Sequence, residues 1–340
     1  MYAADLDDDG YVDVLSALAG DGKIVWYRNE GNSTPGTFSD QIIISAAPGA
    51  RSVYAADLDN DCYLDVLSAS TTQDLIAWYR NYGNGTFSDQ IVISTAADSA
   101  RSVYAADLDN DGHVDALSAS FNDNKIAWYR NEGNGTTFSN QNVISTEVDR
   151  PHSVFAVDLD YDGNVDVLSA SIGDAKIAWY RNEGNGTFSS QSLITTNAKR
   201  AYLVYAADLD NDCIVDVLSA SANDDKIAWY RNYGNGTFSN QNIISSDADG
   251  ARSVFAADLD DDGYVDVLSA SYLDDKITWY RNEGNGTFSG DNFINTEADG
   301  AYSVYAADLD NDGYVDVLSA SVEGGDVAWY RNLKGDLSTG

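Results

Sequence analysis

Cysteine is nearly absent: Cys62 and Cys213 are the only two in 340 residues, too few for a disulfide framework. They fall at equivalent places of an internal repeat, three copies apart, so no bridge between them is expected. Neither has a second cysteine nearby and no His-x-x-His type spacing exists, which leaves zinc without a ligand set. Histidine is equally scarce. Neither His113 nor His152 has a nucleophile and an orienting acid close in sequence. One active site should also disturb one or two copies of the repeat, and none is so disturbed; the chain is read as non-catalytic. No apolar run approaches the roughly 18 residues of a membrane helix, and Met1 leads almost directly into an expected strand, without a signal peptide.

Positive charge is also in short supply, with 19 Lys and Arg against 55 Asp and Glu and a formal net charge of −36. That balance argues against binding nucleic acid or an anionic membrane through the general field. Seven of the basic residues are the arginine of a Trp-Tyr-Arg triplet, as at Arg80 and Arg130, and are assigned to the scaffold rather than to a basic patch. The acidic excess is not a run. Four aspartates in each of seven copies supply 28 of the 55, placed where a cation could neutralise them, and seven divalent ions would bring −36 to −22.

What is abundant is repetition. Tyr-Ala-Ala-Asp-Leu-Asp, with small changes, begins at Tyr2, Tyr54, Tyr104, Phe155, Tyr205, Phe255 and Tyr305. The copies, approximately 1–50, 51–100, 101–151, 152–201, 202–251, 252–301 and 302–340, fill the chain and leave nothing for a second domain, a linker or a tail. Each holds four short runs of β-branched and aromatic residues, in the third copy 102–108, 114–120, 125–131 and 141–145. One such sheet cannot bury both faces, whereas seven arranged radially can. The expectation is therefore all-β: a single seven-bladed β-propeller of four-stranded antiparallel blades over 1–340. Paired alanines such as Ala105 and Ala106 suit an innermost strand, and Trp26, Trp78, Trp128, Trp179, Trp229, Trp279 and Trp329 fill the wider space between blades. From 333 to 340, where the last fourth strand should begin, the sequence stops. Either that blade has three strands or the chain is cut from a longer protein, and the second is favoured because sheet edges are normally covered.

Between the first two strands lies Asp-Leu-Asp-Asn-Asp-Gly-x-Val-Asp, with carboxylates at loop positions one, three, five and nine. This is calcium chemistry: six to eight oxygens at flexible geometry, with position seven lending a backbone carbonyl. The candidate ligands are Asp5, Asp7, Asp9, Tyr11 and Asp13; Asp57, Asp59, Asp61, Tyr63 and Asp65; and Asp107, Asp109, Asp111, His113 and Asp115. The fourth and fifth copies supply Asp158, Asp160, Asp162, Asn164 and Asp166, then Asp208, Asp210, Asp212, Ile214 and Asp216. The last two supply Asp258, Asp260, Asp262, Tyr264 and Asp266, then Asp308, Asp310, Asp312, Tyr314 and Asp316. The aspartates never vary and position seven does, as expected if position seven contributes only its backbone. Turn formation alone would need one or two aspartates, and four without an ion would repel. Magnesium, stricter in geometry, fits less well than up to seven calcium ions, one per blade. Cys62 and Cys213 replace the position-six glycine, where φ must be positive, so weaker binding or altered geometry is expected there.

Strands flanking Asp-x-Asp-x-Asp-Gly-x-x-Asp at this period resemble the FG-GAP or VCBS repeats of the integrin α-subunit propeller and of many secreted microbial proteins. The resemblance covers all seven copies and is closer to the VCBS branch, because clear Phe-Gly and Gly-Ala-Pro strings are missing. It implies calcium in the loops, an extracellular or cell-surface setting, and adhesion or glycan binding.

Alternating strand direction places the aspartate loop and the Asn-Gly turn on one face. The variable segments 121–124, 272–275 and 150–152 lie on the other, where specificity is expected. Just before each first strand stand Arg51, Arg101, His152, Tyr202, Arg252 and Tyr302, which would ring a central opening and could grip sugars or carboxylates, or simply face solvent. Asn84-Gly85-Thr86, Asn134-Gly135-Thr136, Asn185-Gly186-Thr187, Asn235-Gly236-Thr237 and Asn285-Gly286-Thr287 match a glycosylation acceptor and, more simply, a hairpin turn. The leading reading is a secreted recognition module for a glycan or protein. A propeller of a carbohydrate-active enzyme of lyase or dehydratase type and a pure scaffold are the alternatives.

Overall fold

The computed structural model describes residues 1–31, 36–133 and 137–333. Its elements are strands throughout, with no helix among the described residues, and they form seven antiparallel sheets, each in chain order. Six have four strands and the last has three, the arrangement of a β-propeller. Asn134–Thr136 and residues 334–340 lie outside the described residues.

Two compact units make up the chain. The first holds three whole blades, of which the third is Ala100–Ala106, Asp115–Ser120, Lys125–Tyr129 and Asn142–Ser145. The second holds the last three, of which the sixth is Ala251–Ala257, Asp266–Ser271, Lys276–Tyr280 and Asn292–Asn295. The unit boundary falls within the sequence of the fourth blade, between 151 and 195.

The second strand, Asp-Ala-Leu-Ser-Ala-Ser in blade three, is buried along its whole length. Its pattern is continuous rather than alternating because both of its faces meet a neighbouring blade. In the first unit Leu15, Ile24 and Trp26 of blade one pack with Val53, Ala55, Val66 and Tyr79 of blade two. In the second, Leu218, Ile227 and Trp229 of blade five pack with Val254, Val267 and Tyr280 of blade six. Trp26, Trp78, Trp229 and Trp279 occupy this inter-blade layer, and Trp26 meets Phe87 of the next blade edge-on at 6.2 Å between ring centres. The first strands carry more than alanine. Tyr2, Tyr54, Tyr104 and Phe155 stack in succession at 4.7, 4.4 and 4.9 Å, and in the second unit Tyr205, Phe255 and Tyr305 do so at 5.0 and 4.4 Å.

The first strand of blade three runs 100–106 rather than 102–108, a correction with two causes. Asp107 and Leu108 leave the strand because their side chain and amide are committed to the aspartate loop. At the other end Ala100 pairs with Ser120 while Ser102 pairs with Ala119, so Arg101 is the extra residue of a β-bulge. The same break in register isolates Arg51, Tyr202, Arg252 and Tyr302. These residues therefore do not precede the strand; each is a bulge inside it.

Candidate functional site

The loop between first and second strands is built by its own carboxylates. In blade three Asp107 accepts the amides of Asp111 (3.2 Å) and Gly112 (2.9 Å), and Asp111 accepts that of His113 (3.0 Å). Asp115 is fully buried and accepts the amides of Leu108 (2.9 Å) and Asn131 (2.7 Å), which joins the loop to the third strand. To turn this tightly the chain takes positive φ at positions four and six, 60° at Asn110 and 86° at Gly112.

The carboxylates converge. Ligand oxygens of Asp5, Asp7 and Asp13, of Asp57, Asp59 and Asp61, of Asp107, Asp109 and Asp115, and of Asp208, Asp210 and Asp216 each lie within 4.8 Å of one another. In blade four Asp158, Asp162 and Asp166 belong to the first unit and Asp160 to the second. Position-seven side chains have roles of their own. Tyr63 and His113 cover the glycine of the turn after strand three, where a Cβ on Gly83 or Gly133 would lie 2.3 Å from the ring. His113 also shares a 2.8 Å hydrogen bond with Asn60.

One atom of each loop stands apart. Oδ1 of the position-three aspartate is buried and without a hydrogen-bond partner in Asp7, Asp59, Asp109, Asp210, Asp260 and Asp310. A buried carboxylate oxygen with no donor costs roughly 1–3 kcal/mol or more, and its sixfold recurrence fits a divalent cation as the missing partner. The donor set, four carboxylates and a carbonyl, is a hard-oxygen set suited to calcium.

Two residues of this site escaped the sequence reading. The arginine of Trp-Tyr-Arg is not merely scaffold: Arg130 Nε lies 2.6 Å from Asp109 Oδ2 and Nη2 donates to Asp111 Oδ2 at 2.7 Å. Arg28, Arg80, Arg231, Arg281 and Arg331 pair with positions three and five of their own loops in the same way, and Arg181 with Asp162. The asparagine that follows is buried and ties neighbouring loops together. Asn131 Nδ2 donates to Val114 O of its own blade (2.9 Å) and to Leu58 O of the preceding one (2.7 Å). Asn81, Asn182, Asn232, Asn282 and Asn332 repeat this. The available signal was the tetrapeptide Trp-Tyr-Arg-Asn, unchanged in all seven copies.

Charge in the loop is unevenly held. Burial drives the position-nine carboxyls of Asp13, Asp65, Asp115 and Asp216 up to about 7 and those of Asp266 and Asp316 to about 6, against two amide hydrogen bonds pulling down. Burial, then the adjacent position-five carboxylate, also raises Asp7, Asp59, Asp109, Asp210 and Asp310. At Asp61 and Asp111 burial is outweighed by hydrogen bonds from Arg80 or Arg130 and from an amide, which hold them low. A raised carboxyl binds its proton more tightly folded than unfolded. Its contribution to stability is therefore complete below the unfolded value near 4 and is lost as pH rises through about 7. Chelated protein is accordingly expected to melt lower at pH 8 than at pH 5.5. Equal melting temperatures would show that position nine is ionised throughout.

Cys62 and Cys213 keep the loop intact. Their φ angles are 74° and 65°, against 86–90° at the glycines, and each amide still donates to the position-one aspartate at 2.9 Å. The expected altered geometry thus reduces to a smaller φ, and its cost is backbone strain, since a Cβ at the equivalent Gly112 or Gly263 meets nothing within 4 Å. Left-handed φ costs a Cβ-bearing residue about 1–2 kcal/mol, offset by about 0.5–1 of glycine entropy. Cys62→Gly is therefore expected to stabilise by up to about 1 kcal/mol, read from urea midpoints at fixed calcium. Destabilisation would mean that the thiol makes a favourable contact.

In the Asn-Gly-Thr segments the threonine hydroxyl donates to the asparagine Oδ1, at 2.5 Å in Asn84–Thr86 and 2.6 Å in Asn235–Thr237. Positive φ falls on the glycines either side, Gly83 and Gly85, rather than on Asn84. This is a longer turn than a two-residue hairpin.

A model of the FG-GAP-like repeat matches residues 5–68, 60–118, 109–169, 158–219, 208–269 and 258–319, each stretch running from one aspartate loop past the next. No curated protein matches the chain. Among solved structures it is similar to an Agrocybe aegerita lectin that recognises non-reducing terminal N-acetylglucosamine, at 20% identity over 88% of this chain and 80% of that one, TM-score 0.64. A chain from the structure of BBS1N in complex with ARL6DN aligns at 12% identity over 100% and 93%, TM-score 0.66. A streptogramin B lyase aligns at 12% over 94% and 89%, TM-score 0.65. At these identities the likeness is one of fold.

Proposed function

The chain belongs to the FG-GAP-like repeat family, and on that footing we propose that it is a calcium-stabilised, extracellular recognition module that binds glycans and catalyses nothing. One observation carries this reading. The four loop aspartates and the Trp-Tyr-Arg-Asn that meets them recur in all seven copies, whereas the opposite ends of the blades vary, the bulge residue there being Arg51, Arg101, Tyr202, Arg252 or Tyr302. Repetition preserves what every blade needs to fold, and departure from it marks what only some positions need. Positions one, three, five and nine, with the position-seven carbonyl, would hold one calcium per loop. The ion would meet the orphaned Oδ1 and allow all four carboxylates to ionise. The arginine already offsets one charge, which leaves the loop with three to share with a dication.

Glycans are favoured over proteins because tyrosine and arginine at the variable ends suit sugar hydroxyls and ring faces. The lectin of similar fold supports that choice by analogy. No helix of the described residues is long and apolar enough to cross a membrane. A glycan array probed with the full chain, with calcium and with chelator, tests the reading. Binding that depends on calcium is the expected result. No binding under either condition overturns the glycan role, and turnover of any polysaccharide overturns the non-catalytic one.

A further inference from the structure

We propose that Arg252 and the tyrosines around it form a binding site for an acidic sugar, a pyranose that carries a carboxylate; this rests on the glycan reading above and names its ligand class. Arg252 is the bulged residue between Ala251 and Ser253 of the sixth blade's first strand. A bulge re-aims the side chain it frees. The guanidinium carbon then lies 4.0 Å from the centre of the Tyr202 ring, 4.6 Å from that of Tyr272 and 5.7 Å from that of Tyr302. Tyr202 is 5% exposed, so the wall on that side is fixed.

Among the described residues this guanidinium has no hydrogen-bond acceptor and no acidic partner, and its Nε is buried. The chain has 55 acidic residues against 19 basic ones, so an arginine left without a carboxylate is informative. Contrast the arginines of the aspartate loops, each of which has found its acidic partners. Five donors held in a rigid fork, stripped of water on their faces by aromatic rings, call for a planar anionic acceptor at the fork's edge. A carboxylate meets that geometry with two parallel hydrogen bonds.

The surroundings point to a sugar. Tyr272 donates its hydroxyl to Glu323 at 2.6 Å, which fixes both side chains and leaves the second carboxylate oxygen to accept from a sugar hydroxyl. Gly300, at φ 66°, makes this approach possible: a Cβ there would lie 3.0 Å from Glu323 Cγ and 3.2 Å from the Tyr272 ring. The tyrosine rings then provide flat surfaces for pyranose C–H faces. The repeats differ at the cluster. In blade three Arg101 lies over Phe121 at 4.3 Å, and the residues at the same repeat position on either side are Arg51 and His152 rather than tyrosines. An arginine flanked on both sides by tyrosine occurs at the sixth blade.

The full chain in calcium should be titrated calorimetrically with trigalacturonate and with its methyl ester. The acid is expected to bind at least about tenfold more tightly than the ester, because the ester keeps the rings and loses the bidentate pair. Arg252→Lys should lower affinity for the acid about tenfold, since an ammonium cannot reproduce the fork. Arg252→Met should abolish acid binding, and Lys23→Met, at a lysine paired with Asp21 in blade one, should leave it unchanged. Melting curves in calcium select the variants that fold. Equal binding of acid and ester, or acid binding that survives Arg252→Met, overturns this site while leaving glycan recognition in place. Binding of a free peptide carboxylate but of no uronate overturns it too. If the glycan array is also blank, the broader reading falls with it.

Discussion

Chelation of divalent cations is expected to lower the melting temperature of this protein by roughly 15–20 °C, and added calcium to restore it. The magnitude follows from linkage. An ion that binds only the folded state adds about 2.7 kcal/mol per site at a hundredfold excess over its dissociation constant. Seven loops with half that occupancy effect would together add roughly 9 kcal/mol, and a domain of this size shifts by about 2 °C per kcal/mol. The loop architecture explains why the effect should be so large. Each loop gathers four aspartates, of which the arginine pairs with two, and the position-three Oδ1 is buried with no donor in six of the loops. Magnesium should restore less than calcium, because it holds its water and insists on octahedral geometry. A melting curve unmoved by chelator, measured by circular dichroism at neutral pH, would remove calcium from the account.

Much of this was legible in the sequence because the repeat performs its own controlled comparison. Positions one, three, five and nine never change while position seven does, and the structure brings oxygens of three of the four within 4.8 Å of one another, positions one, three and nine in blades one, three and five and positions one, three and five in blade two. The tryptophans could be placed between blades because large apolar side chains at a fixed repeat position need a fixed cavity, and Trp26 and Trp78 are almost wholly buried. What could not be read were contacts between residues that neither spacing nor periodicity connects. Arg130 lies 19 residues after Asp111 and reaches it across the sheet. Asn131 reaches Leu58, 73 residues away and in the preceding blade. Their invariance was visible, but a side chain invariant in every copy is compatible with core, cap or ligand alike. The bulge at Arg101 and Arg252 was hidden for another reason: one extra residue does not break the pattern of a strand so short.

The asparagine staple carries the second large prediction. Asn131 is 1% exposed, donates to Val114 O and Leu58 O, and accepts from the Gly133 amide at 3.1 Å. Asn131→Ala takes the side-chain donor away from two carbonyls, of which the bond to Leu58 O is buried, and also removes the acceptor of the Gly133 amide. At about 1–3 kcal/mol for each unmet buried group, the loss should reach roughly 3–5 kcal/mol. Asn131→Asp should be no better, since its carboxylate would face two carbonyl oxygens. The decisive comparison is with Asp109→Ala, which removes a candidate ligand from the same loop. That variant should lose about 2–3 kcal/mol relative to wild type in calcium and little in chelator, because its cost is the ion's contribution. Asn131→Ala should lose the same amount in both conditions, because its partners are backbone carbonyls that no calcium ion supplies. Urea unfolding of both variants, with and without chelator, gives the four free energies required. If calcium were to rescue Asn131→Ala, the loops would be held to one another through the ion rather than through the staple, and the asparagine's place in the fold would have to be argued again.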